Sequence, residues 1–465
     1  MSFELEMNVT EFLQLFLQQN HKSIIADAPQ EISMQKACLN FDSREIKKGD
    51  IFWALVGKNF NPHKGGFIEE AFKKGAIMAV VNAAEVEVSK IPLAVATEDT
   101  TRALLKFARG YRKSFQNLKV VGITGSAGKT STKEMIAAVL AKNCSTLVTK
   151  GNLNNLFGVP MTLLGLKSEH EAAVIEMGTS MPGEIRQLTQ TAVPDIAVIT
   201  NVGPAHLDGL GDLEGVFKEK KSIAEGFEKN GHLVINADDK MLSKIRSSSK
   251  YDVITYGINR GIVKPDEILW EDGCAKFRIS RTWFKLFVPG MHNVYNALAA
   301  IAVGELFKMS KSVIAEAISE VRAYDMRMQI FEGNGITVIS DCYNANPHSM
   351  KMSLQTLANM PCKGRKIAIL GDMKELGSHS IEYHREIGSM LPGLPIDYLV
   401  AIGNDAAEYC KGAESAGFKS GRIKYFENKR NAMEALKFLI RENDMVLVKA
   451  SRSMELEEVC DGLRS

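Results

Sequence analysis

A β-branched apolar run from Leu118 to Thr124 enters Gly125-Ser-Ala-Gly128-Lys129-Thr130-Ser131, and a helix-forming segment carrying Met135, Ile136, Val139 and Leu140 follows. Strand, glycine-rich turn and helix, in that order, are what a phosphate cradle requires. Gly125 and Gly128 let the backbone amides between Thr124 and Ser131, including those of Ser126 and Ala127, turn inward on an anion. The Lys129 ammonium can reach β- and γ-phosphates, the Thr130 hydroxyl can ligate Mg²⁺, and the helix N-terminus adds a positive dipole end. Ile123 stands where the commoner pattern has its first glycine, so this is a shortened T-G-x-x-G-K-T loop. An ordinary tight βα turn is the bland alternative, and the flanking strand and helix favour ATP.

Two further groups follow apolar strands. Glu176 ends Ile-Glu-Met-Gly178, and His206 closes Thr200-Asn-Val-Gly-Pro-Ala-His206. Open α/β sheets bind ligands at the carboxyl ends of their strands, which places both near the phosphate loop, where a carboxylate and an imidazole suit Mg²⁺. A solvated acid and a helix-capping histidine are the competing readings.

The elements that must position these groups are legible from periodicity. Helical spacing at Phe12, Leu15, Phe16 and Gln19, a helix over 67–74 and a strand over 76–81 predict a small α/β unit. A helix from Asp99 leads into the phosphate-loop strand, and apolar runs over 172–177, 195–200 and 232–236 predict a parallel sheet covered on both faces. Strands over 336–340, 366–370, 398–402 and 445–448 alternate with helices over 349–357 and 429–440 and a last helix from Met454. That alternation predicts an open, doubly wound, Rossmann-like sheet, though no G-x-G-x-x-G opens it. The expected fold class is α/β in three domains: a small α/β substrate domain over 1–98, a central P-loop ATPase-like parallel sheet over 99–323, and the doubly wound sheet over 324–465.

Composition agrees with such a chain and excludes others. At 465 residues it is too long for one core, and 45% hydrophobic with 24% charged residues is a globular balance. A net charge of +2 advertises neither nucleic acid nor anionic membrane as a partner. Seven scattered cysteines with no C-x-x-C pair form neither a disulfide framework nor a zinc site. The acidic start Met-Ser-Phe-Glu-Leu-Glu and the lack of a spanning apolar run predict no membrane insertion and a cytoplasmic location.

Ordered motifs then narrow the reading. Asn152-Leu-Asn-Asn-Leu-Phe-Gly-Val-Pro-Met161, Glu176-Met-Gly-Thr-Ser-Met-Pro-Gly-Glu-Ile185, Gly290-Met-His-Asn-Val-Tyr-Asn-Ala-Leu-Ala-Ala300, Asp341-Cys-Tyr-Asn-Ala-Asn-Pro347 and Leu370-Gly-Asp-Met-Lys-Glu-Leu-Gly377 resemble the signatures of the Mur ligases. The last two are similar to those of the type that adds D-alanyl-D-alanine. The resemblance implies an ATP-dependent amide ligase of peptidoglycan precursor synthesis that joins D-alanyl-D-alanine to UDP-N-acetylmuramoyl-tripeptide through an acyl phosphate, with Lys129, Lys220 and His206 in catalytic roles. It further implies Mg²⁺, two ions in all, held by Thr130, Glu176, His206 and a carbamylated Lys220. A monomer is the expected state.

The same resemblance assigns the remaining residues. His292 and Asn296 match adenine-side positions, although an asparagine there could merely cap the helix. Arg327, in Asp325-Met-Arg-Met328, matches an arginine that reaches ATP across a domain boundary, and Asp341 a nucleotide-contacting acid. Tyr343, Asn344 and Asn346 form a polar substrate-side loop, or a simple Asn-Pro turn. Lys449, Ser451 and Arg452 lie in Val448-Lys-Ala-Ser-Arg-Ser453, where Ala450 replaces a family glycine; they suit anionic substrate groups, or are surface residues beside a cap. Ser43 and Arg44 resemble the uridine diphosphate contacts, with an Asp42–Arg44 surface pair as the alternative. Asn154, Asn155 and Thr179 match the muramoyl-peptide side. For Lys220 the alternative is the solvated face of a helix that also bears Lys218 and Lys221. Another ligase of the superfamily, a phosphotransferase, and a nucleotide-switched binding module are the rival readings.

Overall fold

The computed structural model describes residues 2–20, 24–25, 34–57 and 60–464. Within them the chain builds three six-stranded sheets and one three-stranded sheet.

The first sheet runs β1 (Ser2–Asn8), β3 (Lys36–Asn40), β4 (Asp50–Trp53), β5 (Met78–Asn82), β6 (Ala94–Thr97) and β2 (Ile24–Ile25) in spatial order. The helix Val9–Gln19, capped by a reciprocal Asn8–Glu11 box, lays Phe12 and Phe16 against Trp53 and Phe107. Phe107 belongs to the next helix, Thr100–Ser114, whose Tyr111 hydroxyl donates to Leu166 O and accepts from Glu6 N. That helix ties the first sheet to the second, and a single apolar cluster runs from Leu5 to Ile245 through both.

The second sheet is parallel throughout, in the order β12 (Tyr251–Tyr256), β11 (Gly231–Asn236), β10 (Ile196–Ile199), β7 (Lys119–Thr124), β9 (Ala172–Glu176) and β8 (Thr146–Val148). Its central strands are buried on both faces, which is why they read as continuous apolar runs. Helices Lys129–Ala141 and Met291–Leu306 share one core on one face, and Gly158–Leu164 and Glu184–Ala192 pack into the other. Because the sheet is parallel, the ends of β7, β9 and β10 come out side by side, carrying Thr124, Glu176 and Thr200 to one edge.

An antiparallel sheet of β13 (Glu267–Glu271), β14 (Cys274–Ile279) and β15 (Thr282–Lys285) was not among the expected elements. Its inward residues Ala275, Phe277 and Phe284 alternate with charged ones, a pattern too short and too polar to register as a buried strand.

The last sheet has the order β16 (Gln329–Gly333), β17 (Ile336–Ser340), β21 (Met445–Lys449), β18 (Lys366–Gly371), β19 (Tyr398–Ile402) and β20 (Ile423–Phe426), parallel except for the edge strand β16. Two helix boundaries differ from expectation for local reasons. The helix Pro347–Asn359 starts before residue 349 because Asn346 caps it and Pro347 needs no amide partner. The final helix, Glu457–Arg464, starts after Met454 because Arg452–Met454 form a 3₁₀ turn and Glu455 takes φ +51°.

Candidate active site

The phosphate loop is shaped by what a side chain would hit. A Cβ on Gly125, at φ +153°, would fall 1.8 Å from Thr200 Oγ1, and one on Gly128, at φ +79°, 2.8 Å from Asn296 Oδ1. Glycine at both positions lets β10 and the helix Met291–Leu306 press against the loop. Asn201 Oδ1 accepts from Ala127 N at 2.9 Å, and Ser126 Oγ donates to Gly203 O at 2.8 Å. The loop opens into a cavity of about 670 Å³ lined by residues 126–131 from one side and by Arg327, Asp341, Tyr343 and Asn346 from the other.

Lys129 Nζ donates to Gly125 O at 2.7 Å, and burial, with Arg327 nearby, holds its pKa below the usual lysine value. Thr130 Oγ1 donates to Glu176 Oε2 at 2.9 Å, and Asn154 Nδ2 donates to Glu176 Oε1 at 2.8 Å. Thr130 and Glu176 therefore arrive together at the sheet edge, as expected, with Asn154 beside them.

Lys220 is 1% exposed, whereas Lys218 and Lys221 on the same helix are exposed. The solvated-face alternative is thus overturned for Lys220 alone. Burial, with Lys129 adding repulsion, lowers its pKa well below the normal value, and its ammonium has no hydrogen-bond partner among the described residues. The preceding Glu219 accepts from Ile185 N and Gly183 N, both at 2.7 Å, and from Thr179 Oγ1 at 3.2 Å. It pins the segment carrying Thr179 to the helix carrying Lys220.

His206 takes φ +53° before the short helix Leu207–Leu210, and its Nδ1 lies 2.5 Å from Glu375 Oε2 of the third unit. It lines the same cavity as Glu176 and the phosphate loop, as the strand-end rule expects. Among the described residues no group of three or more His, Cys, Asp or Glu forms a metal cage.

Asn296 Oδ1 accepts from Thr132 Oγ1 at 3.0 Å while its amide donates to Asn293. His292 lines the cavity with Nδ1 buried and unpartnered, and burial pushes its pKa down to about 4. The Arg327 guanidinium lies 3.9 Å over the Tyr343 ring, and its Nε is buried without a partner. Asp341 and Lys449, expected to meet nucleotide and substrate separately, pair with each other at 2.7 Å, and Asp341 also accepts from Ser353 Oγ at 2.6 Å. Asn346, besides capping its helix, donates from Nδ2 to Ser126 O at 3.1 Å, which seats the third unit on the phosphate loop. Asn344 accepts from Ala345 N within its own turn, and Asn155 spends its carbonyl on Phe157 N and Gly158 N; both still line the cavity.

Ser43, Arg44 and Ser451, like Lys220, Thr124 and Gly125, are not among the residues that line the cavity. Ser451 uses its hydroxyl on Ala345 O and Lys374 N, inside the fold. Ser43 donates to Glu70 Oε2, and Arg44 folds its fork onto Asp42, drawing that carboxyl down to about 2. Arg452 lines the cavity rim and pairs with Glu457.

Sequence reasoning did not find Asn201, Asp238, Tyr295, Lys133, Glu219, His348 or Glu375. Asp238, which accepts from Tyr295 OH at 3.0 Å, follows strand β11 in Asn236-Ala-Asp-Asp239, so the strand-end rule applied to Glu176 finds it. Lys133, fully buried, donates to Thr149 O at 2.8 Å and lies 3.9 Å from Glu176 Oε2; nothing in a charged helix turn distinguishes it.

Comparison with known proteins agrees with this geometry. Residues 123–304 match the Mur ligase middle domain and residues 326–452 the Mur ligase, glutamate ligase domain. The UDP-N-acetylmuramoyl-tripeptide–D-alanyl-D-alanine ligase of Bacillus subtilis (strain 168) is 34% identical over 425 residues, 91% of this chain and 92% of its own length. A crystal structure of MurF from Acinetobacter baumannii superposes with a TM-score of 0.88 at 29% identity, covering 99% of both chains. MurF ligase from Thermotoga maritima in complex with ADP gives 0.82 at 29% identity, over 92% of this chain and 96% of that one.

Proposed function

The chain belongs to the Mur ligase family, and from that membership we propose that it joins D-alanyl-D-alanine to UDP-N-acetylmuramoyl-tripeptide, converting ATP to ADP and phosphate. One observation carries the reading: Lys129 and Arg327, from two different units, face one cavity, and neither has an ion-pair partner among the described residues. One cation in a glycine-rich loop and a second across the cavity from it suit an incoming polyanion.

A carboxylate resists attack because its charge repels nucleophiles and oxide is a poor leaving group. In the proposed reaction the terminal carboxylate of the tripeptide attacks the γ-phosphorus, forming an acyl phosphate and releasing ADP. The free amine of D-alanyl-D-alanine then adds to the acyl carbon, and the tetrahedral intermediate expels phosphate; one proton leaves the amine. Lys129 and Arg327 neutralise charge on the transferred phosphoryl group, and the third unit, seated through Asn346, keeps water from the acyl phosphate.

Thr130 and Glu176 fit magnesium: they are hard oxygen donors already in contact, and this ion commonly takes one or two carboxylates plus substrate phosphates. Bound there, it supplies positive charge to the phosphate oxygens. His206 and a carbamylated Lys220 would hold a second ion. Burial favours the neutral Lys220 amine, the form that adds CO₂ with loss of one proton, and the resulting anion relieves its repulsion with Lys129.

Asn154, Asn155 and Thr179 are assigned to the muramoyl-peptide side, Asn344, Asn346, Lys449 and Arg452 to the acceptor side, and Ser43 and Arg44 to the uridine diphosphate in a unit spanning 1–98. The other units span 99–323 and 324–465. We place the enzyme in the cytoplasm as a monomer, in keeping with the family resemblance; its cysteines are free, and among the described residues no helix is long and apolar enough to cross a membrane. Mass spectrometry of a reaction with ATP, magnesium and both peptide substrates tests the assignment. A UDP-N-acetylmuramoyl-pentapeptide with stoichiometric ADP is expected; ATP consumption without it would refute the reading.

A further inference from the structure

Arg327 is presented by a short segment whose geometry is unusual. Met326 and Met328, the residues on either side, both take the left-handed conformation, at φ +55° and +52°. Non-glycine residues are strained there and persist only where the surroundings hold them. Three hydrogen bonds hold them: Tyr343 N donates to Met326 O at 3.2 Å, Met326 N to Gln329 Oε1 at 3.3 Å, and Met328 N to Asp341 Oδ1 at 3.2 Å. The Met328 side chain is 2% exposed and anchored in an apolar cluster that also takes in Leu207, Leu210 and Val216 of the central unit.

The segment therefore delivers the Arg327 guanidinium to the cavity wall, yet no hydrogen bond or ion pair fixes the guanidinium among the described residues. It stands over the Tyr343 ring, with the guanidinium carbon 3.9 Å from the centroid. At that distance an arginine plane gains from the aromatic face while leaving its N–H groups free to donate elsewhere.

We propose that Tyr343 is a positioning residue whose ring holds the Arg327 guanidinium toward the phosphates of ATP, rather than a contact of the peptide substrates. The inference rests on the ligase reading above. It follows that the ring matters and the hydroxyl does not: phenylalanine at 343 supplies the same face, leucine does not.

The test is steady-state kinetics of the full chain with Tyr343→Leu and Tyr343→Phe, each checked for an unchanged thermal unfolding midpoint. Y343L should lower kcat/KM for ATP about tenfold, with Y343F recovering to within about threefold, and KM for D-alanyl-D-alanine and for the tripeptide should stay put. In an Arg327→Ala background Y343L should cost little more, since there is no guanidinium left to hold. Equal losses in Y343F and Y343L, losses confined to the KM of a peptide substrate, or full additivity with R327A would overturn the proposal. Should the unsubstituted chain make no pentapeptide, the ligase reading fails separately. The same contrast, read as affinity for a non-hydrolysable ATP analogue, then decides the role of Tyr343.

Discussion

Lys129 is folded back on Gly125 O, and binding a triphosphate exchanges that neutral acceptor for charged ones. Lys129→Ala should lower kcat by roughly 10²–10³-fold, the range for removing one charge-stabilising donor, with the unfolding midpoint unchanged. Lys220→Ala should abolish turnover, and added short carboxylates should partly restore it by standing in for the carbamate; absence of rescue would remove the support for the modification. His292 offers a pH signature. Its pKa falls from 6.5 to about 4 on burial, so the unfolded chain binds more protons between those values, and stability contributed by the neutral ring is lost as pH drops through that window. Thermal unfolding of His292→Asn should fall less steeply on acidification across it. Lys129, Thr130, Glu176 and Arg327 were legible because a loop, a strand end or a motif marks each. Glu219, Lys133 and Glu375 were not, because a charged residue on a helix or loop becomes a buried pin only when another segment packs over it.

At the scale of elements, the phosphate loop works because β7, β10 and the helix Met291–Leu306 converge on two residues without side chains. Gly125→Ala should destabilise the chain by about 1–3 kcal/mol through overpacking and weaken nucleotide binding, measured by denaturant unfolding and calorimetry. Gly421→Ala, whose added Cβ meets nothing within 4 Å, should change neither. The parallel strands were readable because burial on both faces demands continuous apolar runs, which 172–177 and 195–200 supply. The antiparallel sheet Glu267–Lys285 escaped since one face is wet and its alternation is brief. Helix starts were readable to within a turn, the residual error lying in caps such as Asn346 and in the 3₁₀ turn at Arg452–Met454.

Across the whole molecule, the site exists only where two units meet. Asn346 on Ser126 O and His206 against Glu375 are contacts between the loops of the central and last sheets, and Arg327 of the last unit is near enough to Lys129 to lower its pKa. A sequence carries no signal for how two folded bodies seat on one another, so the His206–Glu375 contact emerges only in three dimensions, as does the Asp341–Lys449 pairing across neighbouring strands of the last sheet. Seated this way, the last unit shields the place where an acyl phosphate would form, which is the protection a hydrolysable intermediate needs. The whole reaction turns on that intermediate. With tripeptide bearing ¹⁸O in its terminal carboxylate, attack on the γ-phosphorus transfers one labelled oxygen to the phosphate released with each new amide bond. Mass spectrometry should find that oxygen in the phosphate; unlabelled phosphate accompanying pentapeptide formation would contradict it.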